Sequence, residues 1–442
     1  MIGVHRHRRG ALIAALVMSS VVLAGCVNET EGRPSPVTPE VPTPTLPRFA
    51  IDPEPLWGNS QVPVTHIADI QFRAGRAILA GYDADSSFVA AVDAATGTTQ
   101  WSIDLYDDLN GGDGAVLAER PRFLVGDSAE GPVLVEYFSD TCRNPLRSCP
   151  PGSVQSSAER GIAALSPVDG SVLWKYAVVP AFYVESEQAD TARETNVKLV
   201  ATRDDVTVLV AGPSDALDGR QNADPAEIRT IAVNAMTGEL IWEAAGYWAQ
   251  FIADETVLAR VPGSGPRTAD YEPGTAVALD LSSGNERWSA TDRLSQSEFL
   301  LATDDLALVR KWEEGVFSWQ VVNVADGTTV ADLEEWVERC ATDGERLIAC
   351  SIGAPSGLLS YELGETEARS VPDQSARLFL GLAFNGYLFA EALSSGEHLA
   401  VDRWGNVLSD PLPGRAVRVT DEYAVFANDA DPDSFAVHRV TT

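Results

Sequence analysis

Five cysteines and five histidines are the side chains of this 442-residue chain with the widest chemical range: disulfide formation, thiolate attack, metal ligation and proton transfer. Cys26 stands alone. The other four form two local pairs, Cys142 and Cys149 around RNPLRS, and Cys340 and Cys350 around ATDGERLIA. Zinc is the rival to disulfides for such pairs, but neither has a histidine nearby and neither spacing is that of a zinc knuckle. In an oxidising compartment two short-range disulfides are the expectation. The first would brace a surface loop. The second needs a three-residue loop centred near Glu345, because a two-residue turn at Asp343 and Gly344 would leave Cys340 and Cys350 out of register. His66, His398 and His438, the histidines outside the leader, are far apart and read as strand residues rather than bases. Asp429, Asp431 and Asp433 alternate as in calcium loops, but the following glycine and closing glutamate are absent, so a solvated turn is expected. No GxSxG elbow, HExxH helix or phosphate-cradling glycine loop occurs. The residues therefore predict no catalytic group, no metal ligand and no cofactor site; carboxylates meeting across a central channel stay open as an alternative.

These residues sit in a chain with three compositional regions. Arg6, Arg8 and Arg9 precede an apolar run from Ala11 to Leu23, followed by Leu23-Ala24-Gly25-Cys26, so residues 1–25 read as a signal peptide. The ending resembles the bacterial lipobox, which implies a diacylglycerol on Cys26 and cleavage before it; an ordinary signal peptide or an uncleaved anchor is the alternative. Residues 26–47 hold Pro34, Pro36, Pro39, Pro42, Pro44 and Pro47 among Thr, Glu and Ser, too polar to bury a core and suited to a tether. Residues 48–442 are left for the folded part. The formal charge of −32 becomes three units more negative without the leader arginines. Such a surface repels nucleic acid and anionic headgroups, so membrane contact is expected through the lipid alone.

The elements that must position the chemistry are read from a repeat. AVDAATGTTQW at 91–101 has an alternating strand, a turn and an aromatic-bearing strand, and the pattern returns as ALSPVDGSVLW, AVNAMTGELIW and ALDLSSGNERW. Gly97, Gly170, Gly238 and Gly284 each stand four residues before Trp101, Trp174, Trp242 and Trp288. Weaker copies carry Gly327, Gly364 and Gly405 with no tryptophan at that offset. Each unit predicts four short strands, and the long insertions, 136–161, 212–227 and that of the fourth unit, all fall between its second and third strands. Near the C-terminus, EYAVFANDADPDSFAVHRV matches the middle strands of the first unit but stops before a fourth strand, while Trp57 stands unclaimed ahead of the first unit. An N-terminal strand at Trp57 would complete that last unit and remove two exposed edges. The expectation is an all-β, eight-bladed β-propeller of four-stranded blades, with seven blades as the alternative.

The repeat resembles that of the quinoprotein-type (PQQ-like) β-propellers. The resemblance implies that the tryptophans dock between blades while the glycines make the turns, so that the motif is a packing device and not a cofactor box. The quinone-dependent members show adjacent cysteines at the quinone and often CxxCH, and neither occurs here; quinone and calcium are therefore not expected. In plan, a lipidated propeller is similar to the barrel-assembly lipoproteins of the outer membrane. The expected protein is a monomeric, non-enzymatic propeller, lipid-anchored on the extracytoplasmic face of the cell membrane. It would bind a protein or envelope component through a loop-rich face. A dehydrogenase-like or channel-centred hydrolytic enzyme is the alternative, as is a glycan or small-ligand sensor marked by exposed Trp312, Trp319 or Trp404.

Overall fold

A turn that needs a left-handed residue recurs through the chain, and the architecture can be followed from it. The computed structural model describes residues 46–62, 66–82, 87–105, 109, 123–125, 131–140, 158–179, 195–213, 225–262, 274–290, 297–313, 316–333, 337–353, 356–365, 367–372, 378–428 and 431–441. Cys26, Cys142, Cys149, Asp429, the leader and the tether up to residue 45 lie outside them. The described strands form eight antiparallel sheets. Blades 1 to 7 are built from residues 66–104, 123–179, 195–245, 248–289, 297–333, 337–372 and 378–401, each in sequential strand order. Blade 8 takes Arg415–Val419, Tyr423–Asn428 and Asp431–Arg439, and its outer strand is Trp57–Gly58, paired with Val437 and Ala436. From blade 2 to blade 8 the first strands of successive blades lie against one another, and blade 8 meets the first strand of blade 1 through Asp431–Arg439, around the axis of an eight-bladed propeller. As the unclaimed Trp57 implied, the N-terminal strand closes the ring.

Five blade junctions share one contact. At the turn after the third strand, Gly97, Gly170, Gly238, Gly284 and Gly327 have φ between 69° and 74°. A Cβ on any of them would fall 2.6 to 2.8 Å from an indole of the preceding blade: Trp57, Trp101, Trp174, Trp242 and Trp288 in turn. Glycine thus serves twice, permitting the backbone conformation and making room for the ring. Each indole N–H also donates to a carbonyl in the same turn, on Ala94, Pro167, Ala235, Leu281 and Val324, at 2.7 to 3.1 Å. The turn is held in shape from within: Asp93, Asn234 and Asp280 accept backbone amides two and three residues on. The fourth strand carries a bulge just before the tryptophan, at register shifts such as Ala91/Val92 and Ala232/Val233. Such a bulge re-aims the next side chain, here toward the neighbouring blade.

The remaining three junctions use different chemistry. Between blades 5 and 6, Ala331 stands at the tryptophan position, and Trp319, Leu333, Val337, Ile348 and Tyr361 fill the space. Gly364, the turn glycine facing that junction, and Gly405, its counterpart between blades 6 and 7, keep a positive φ but meet nothing within 4 Å; the second junction is held by charge. There Arg403 reaches across to Glu362 and Glu365, and its guanidinium and that of Arg369 lie 4.9 and 4.6 Å from the Trp404 ring. Between blades 7 and 8 the N-terminal segment supplies the wedge. Phe49 is 4% exposed and packs edge-on against Tyr387 and Phe389, while its amide donates to the Leu408 carbonyl. Leu46 lies against Gly386, and the Pro47 carbonyl accepts from the Tyr387 hydroxyl.

Blade 7 departs from the regular four strands. Its fourth is reduced to bridges at Val407 and Leu412, with the Ser409 hydroxyl accepting from the Ala400 amide. Pro411 and Pro413 have no amide hydrogen, so a continuous ladder cannot form there.

Replacing Gly238 with alanine adds a clash with Trp174 to the backbone strain and is expected to cost about 2–4 kcal/mol. Gly405→Ala carries only the strain, about 1 kcal/mol. Urea unfolding of the two variants checks this, and equal costs would remove the indole contact as the cause. A second expectation concerns acid. Burial alone would raise the Glu365 carboxyl, but hydrogen bonds from Arg403 and the Glu362 amide, with the Arg403 charge and Arg369, outweigh it and hold it below the usual range. A depressed carboxylate stabilises the fold above its unfolded pKa, and that contribution is lost as pH falls through the folded value. The stability gap between the natural chain and Arg403→Ala should therefore be full at neutral pH and close as Glu365 becomes protonated. A gap independent of pH would assign Arg403 to packing on Trp404 instead.

Candidate functional site

Antiparallel order gives each blade two unlike ends. At one end lie the hairpins joining first to second and third to fourth strands. At the other, the chain passes from second to third strand and from blade to blade, and there the segments 141–157, 214–224 and 263–273 leave and return, as do 180–194 and 291–296. The insertions that interrupt the repeat thus all depart from one end of the blades.

At that same end a cleft of about 240 Å³ opens between blades 6, 7 and 8. Its floor is apolar, with Leu380 and Phe389 at 1% and 2% exposure and Leu399 beside them. Its rim is cationic. Arg339 comes from the first strand of blade 6, just after the register shift that follows Val337, and its guanidinium stacks 4.3 Å from the Phe379 ring. Arg415 opens the first strand of blade 8. Both are exposed, and among the described residues neither is ion-paired. Glu391 and the buried His398 complete the polar part of the lining. A further register shift, between Leu380 and Leu382, leaves Gly381 unpaired at the wall, where a Cβ would meet only the Phe389 carbonyl oxygen at 3.7 Å. The irregular fourth strand of blade 7 contributes Leu412, whose amide donates to the His398 carbonyl at 2.8 Å. An apolar floor under two exposed guanidinium groups suits recognition of a group that is both apolar and anionic.

The residues singled out from sequence fall elsewhere, with one exception. His66 stacks with Tyr82, and His438 is buried with its Nδ1 2.9 Å from the Asp52 carbonyl oxygen. His398 alone reaches the cleft, so the three histidines do not form a site together. Cys340 and Cys350 are direct register partners and form a disulfide beside a turn in which the Asp343 amide donates to the Leu347 carbonyl. Trp319 is buried at 6% exposure and Trp404 is held between arginines; the Trp312 side chain lies outside the described residues. Among the described residues no cluster of His, Cys, Asp and Glu could hold a metal ion.

Several polar groups near the axis are engaged in structure. The Glu136 carboxylate accepts the Leu199 amide and the Gln250 carbonyl accepts the Phe299 amide, each serving a bulged first strand of the next blade. Asp304 takes two 3.1 Å hydrogen bonds from Arg203 and one from the Asp254 amide, tying the hairpins of blades 3, 4 and 5. Sequence reasoning missed Arg339 and Arg415. The available signal was a single arginine near the start of two first strands, which acquires meaning only when blades 6 to 8 are assembled.

Residues 85–290 match a family model described as outer membrane protein assembly factor BamB. Among curated protein sequences none matches. Among solved structures the chain is similar to BamB from Moraxella catarrhalis, at 12% identity and a TM-score of 0.46, over 85% of this chain and 94% of that one. It is similar to the computationally designed Ika8 protein at 13% identity and 0.46, over 85% and 96%. A quinohemoprotein alcohol dehydrogenase, ADHIIG from Pseudomonas putida HK5, aligns at 12% identity and 0.44, over 86% and 74%. Taken with the glycine–tryptophan repeat at 91–101 and its copies, the match over residues 85–290 marks that stretch as similar to a PQQ-like repeat, in a chain whose described strands form a β-propeller.

Proposed function

We propose that this protein is a lipid-anchored, extracytoplasmic scaffold whose propeller binds a protein or envelope component and catalyses no reaction. The observation that carries the reading is the inequality of the two blade ends. Among the described residues one is built of tight hairpins, whereas the other carries the long connections and the cleft whose two arginines have no described ion-pair partner. Segments placed on a rigid scaffold in this way are where binding residues concentrate. The most distinctive residues of the chain are meanwhile consumed in packing, the tryptophans on the glycines and Asp304 on Arg203. A family model described as an outer membrane protein assembly factor agrees with a protein partner. Lipidation at Cys26 would leave residues 26–47 as a tether reaching about 70 Å when fully extended, enough for the propeller to meet a partner away from the bilayer surface.

Cys26→Ala is expected to stop incorporation of labelled palmitate and to release the protein from the membrane pellet; a variant that still sediments with membranes is not anchored through this residue. Replacing 141–157 and 214–224 with short Gly-Ser linkers, in the otherwise complete chain, should lower the yield of cross-linked partner at least tenfold with unchanged circular dichroism. An unchanged yield would place the interface outside these segments.

A further inference from the structure

We infer that the cleft between blades 6, 7 and 8 captures the C-terminal residue of a protein chain, with its apolar side chain on the floor and its terminal carboxylate at Arg339 and Arg415. The inference rests on the protein-binding reading above and names what that partner presents to this cleft.

Charge points to an anion. In a molecule with a formal charge of −32 the arginines have carboxylates in abundance, and Arg203, Arg229, Arg287, Arg369 and Arg403 all pair with one. Arg339 is instead held by an aromatic face, which fixes the direction of a guanidinium while leaving its N–H donors available. Arg415 stands exposed at the same opening. Against these two, Glu391 sets one negative charge, so the lining keeps one excess positive charge. That matches a carboxylate better than a dianionic phosphate, and a guanidinium fork matches the two carboxylate oxygens in shape.

Size and polarity narrow the class further. At about 240 Å³ the cleft lies below the roughly 300–1,000 Å³ of sites for drug-sized ligands, so it takes one residue rather than an extended molecule. Its buried floor of Leu380 and Phe389 calls for an apolar side chain directly beside the anion. The last residue of a protein carries both on one Cα, whereas an internal Asp or Glu separates its charge from the neighbouring apolar group. Capture of a C-terminal carboxylate is an established mode of peptide recognition.

The test uses the full-length protein and fluorescein-labelled octapeptides with a Gly-Ser body, ending in Leu, Ile, Val or Phe, read by anisotropy. At least one free-acid peptide should bind, and amidating its C-terminus should weaken it at least tenfold. Arg339→Ala and Arg415→Ala should each weaken it at least tenfold. Gly381→Leu should abolish binding, because the added side chain projects where the backbone is unstrained and only the Phe389 carbonyl is near; unchanged thermal melting shows that the fold is intact. The inference is overturned if no free-acid peptide binds, if amidated peptides bind equally, if an amidated peptide with an internal Glu-Leu pair binds as well, or if Gly381→Leu binds like the natural chain. Should the peptides fail while replacement of 141–157 and 214–224 still abolishes partner cross-linking, the cleft assignment falls and the scaffold reading stands; if both fail, so does that reading.

Discussion

The fold depends on one contact, an indole laid across a glycine that has no Cβ to obstruct it. Everything in the local sequence serves that contact. The turn needs a residue at positive φ, the ring needs the missing Cβ, and the carbonyl three residues before the glycine receives the indole N–H. The bulge before each tryptophan turns the ring out of its own blade, and the Asp or Asn at the head of the turn fixes the surface on which the ring lands. Because the donor blade and the receiving blade are always neighbours, the contact propagates around the ring by nearest-neighbour steps, as in other repeat proteins. Trp57 makes the same contact with Gly97 from an N-terminal strand that completes the C-terminal blade, which is how a linear sequence closes the circle.

Where the contact is absent, the junctions become individual, and the candidate site lies among them. An apolar cluster, a charged bridge and an N-terminal wedge replace the tryptophan at the junctions of blades 5 to 8. The last fills space as an indole would. At the other two the receiving glycines, Gly364 and Gly405, face open space, and the fourth strand of blade 7 falls into bridges at Val407 and Leu412. Loosening of the outer part of blade 7 is what gives the cleft a wall of side chains, Leu412 and His398, in place of a continuous ladder.

This division explains what could be read from the amino acids. Blade number, blade boundaries and ring closure were legible because each depends on a string of about ten residues with a fixed internal offset, and Trp57 was conspicuous as a tryptophan without its own turn. Phe49 and Arg403 gave no such signal. One is an ordinary apolar residue at the edge of a proline-rich stretch, and the other is one of many charges in a turn; both acquire roles from partners such as Phe389 and Glu362. Arg339 and Arg415 are further removed, since they meet only when three blades are side by side. Trp319 misleads in the other direction: a tryptophan outside the repeat motif reads as a candidate for ligand contact, yet at the junction lacking the clasp it is needed to fill the core.

The N-terminal segment joins these two themes. Phe389 is packed from one side by the Phe49 ring, with centroids 5.0 Å apart, and forms the floor of the cleft on another. The segment that closes the ring therefore also supports the surface against which a ligand would rest. In sequence it is also the continuation of the stretch that would run from the bilayer. Truncation through Gly58 would leave blade 8 without its outer strand, and the junction of blades 7 and 8 without Phe49, so the floor and one cationic wall of the cleft would lose their common support. A substitution of Phe49 alone separates the two roles, because it removes support behind Phe389 and leaves the pairing of Trp57 with Val437 in place. Ring closure and the shape of the cleft are thus coupled through a single aromatic contact.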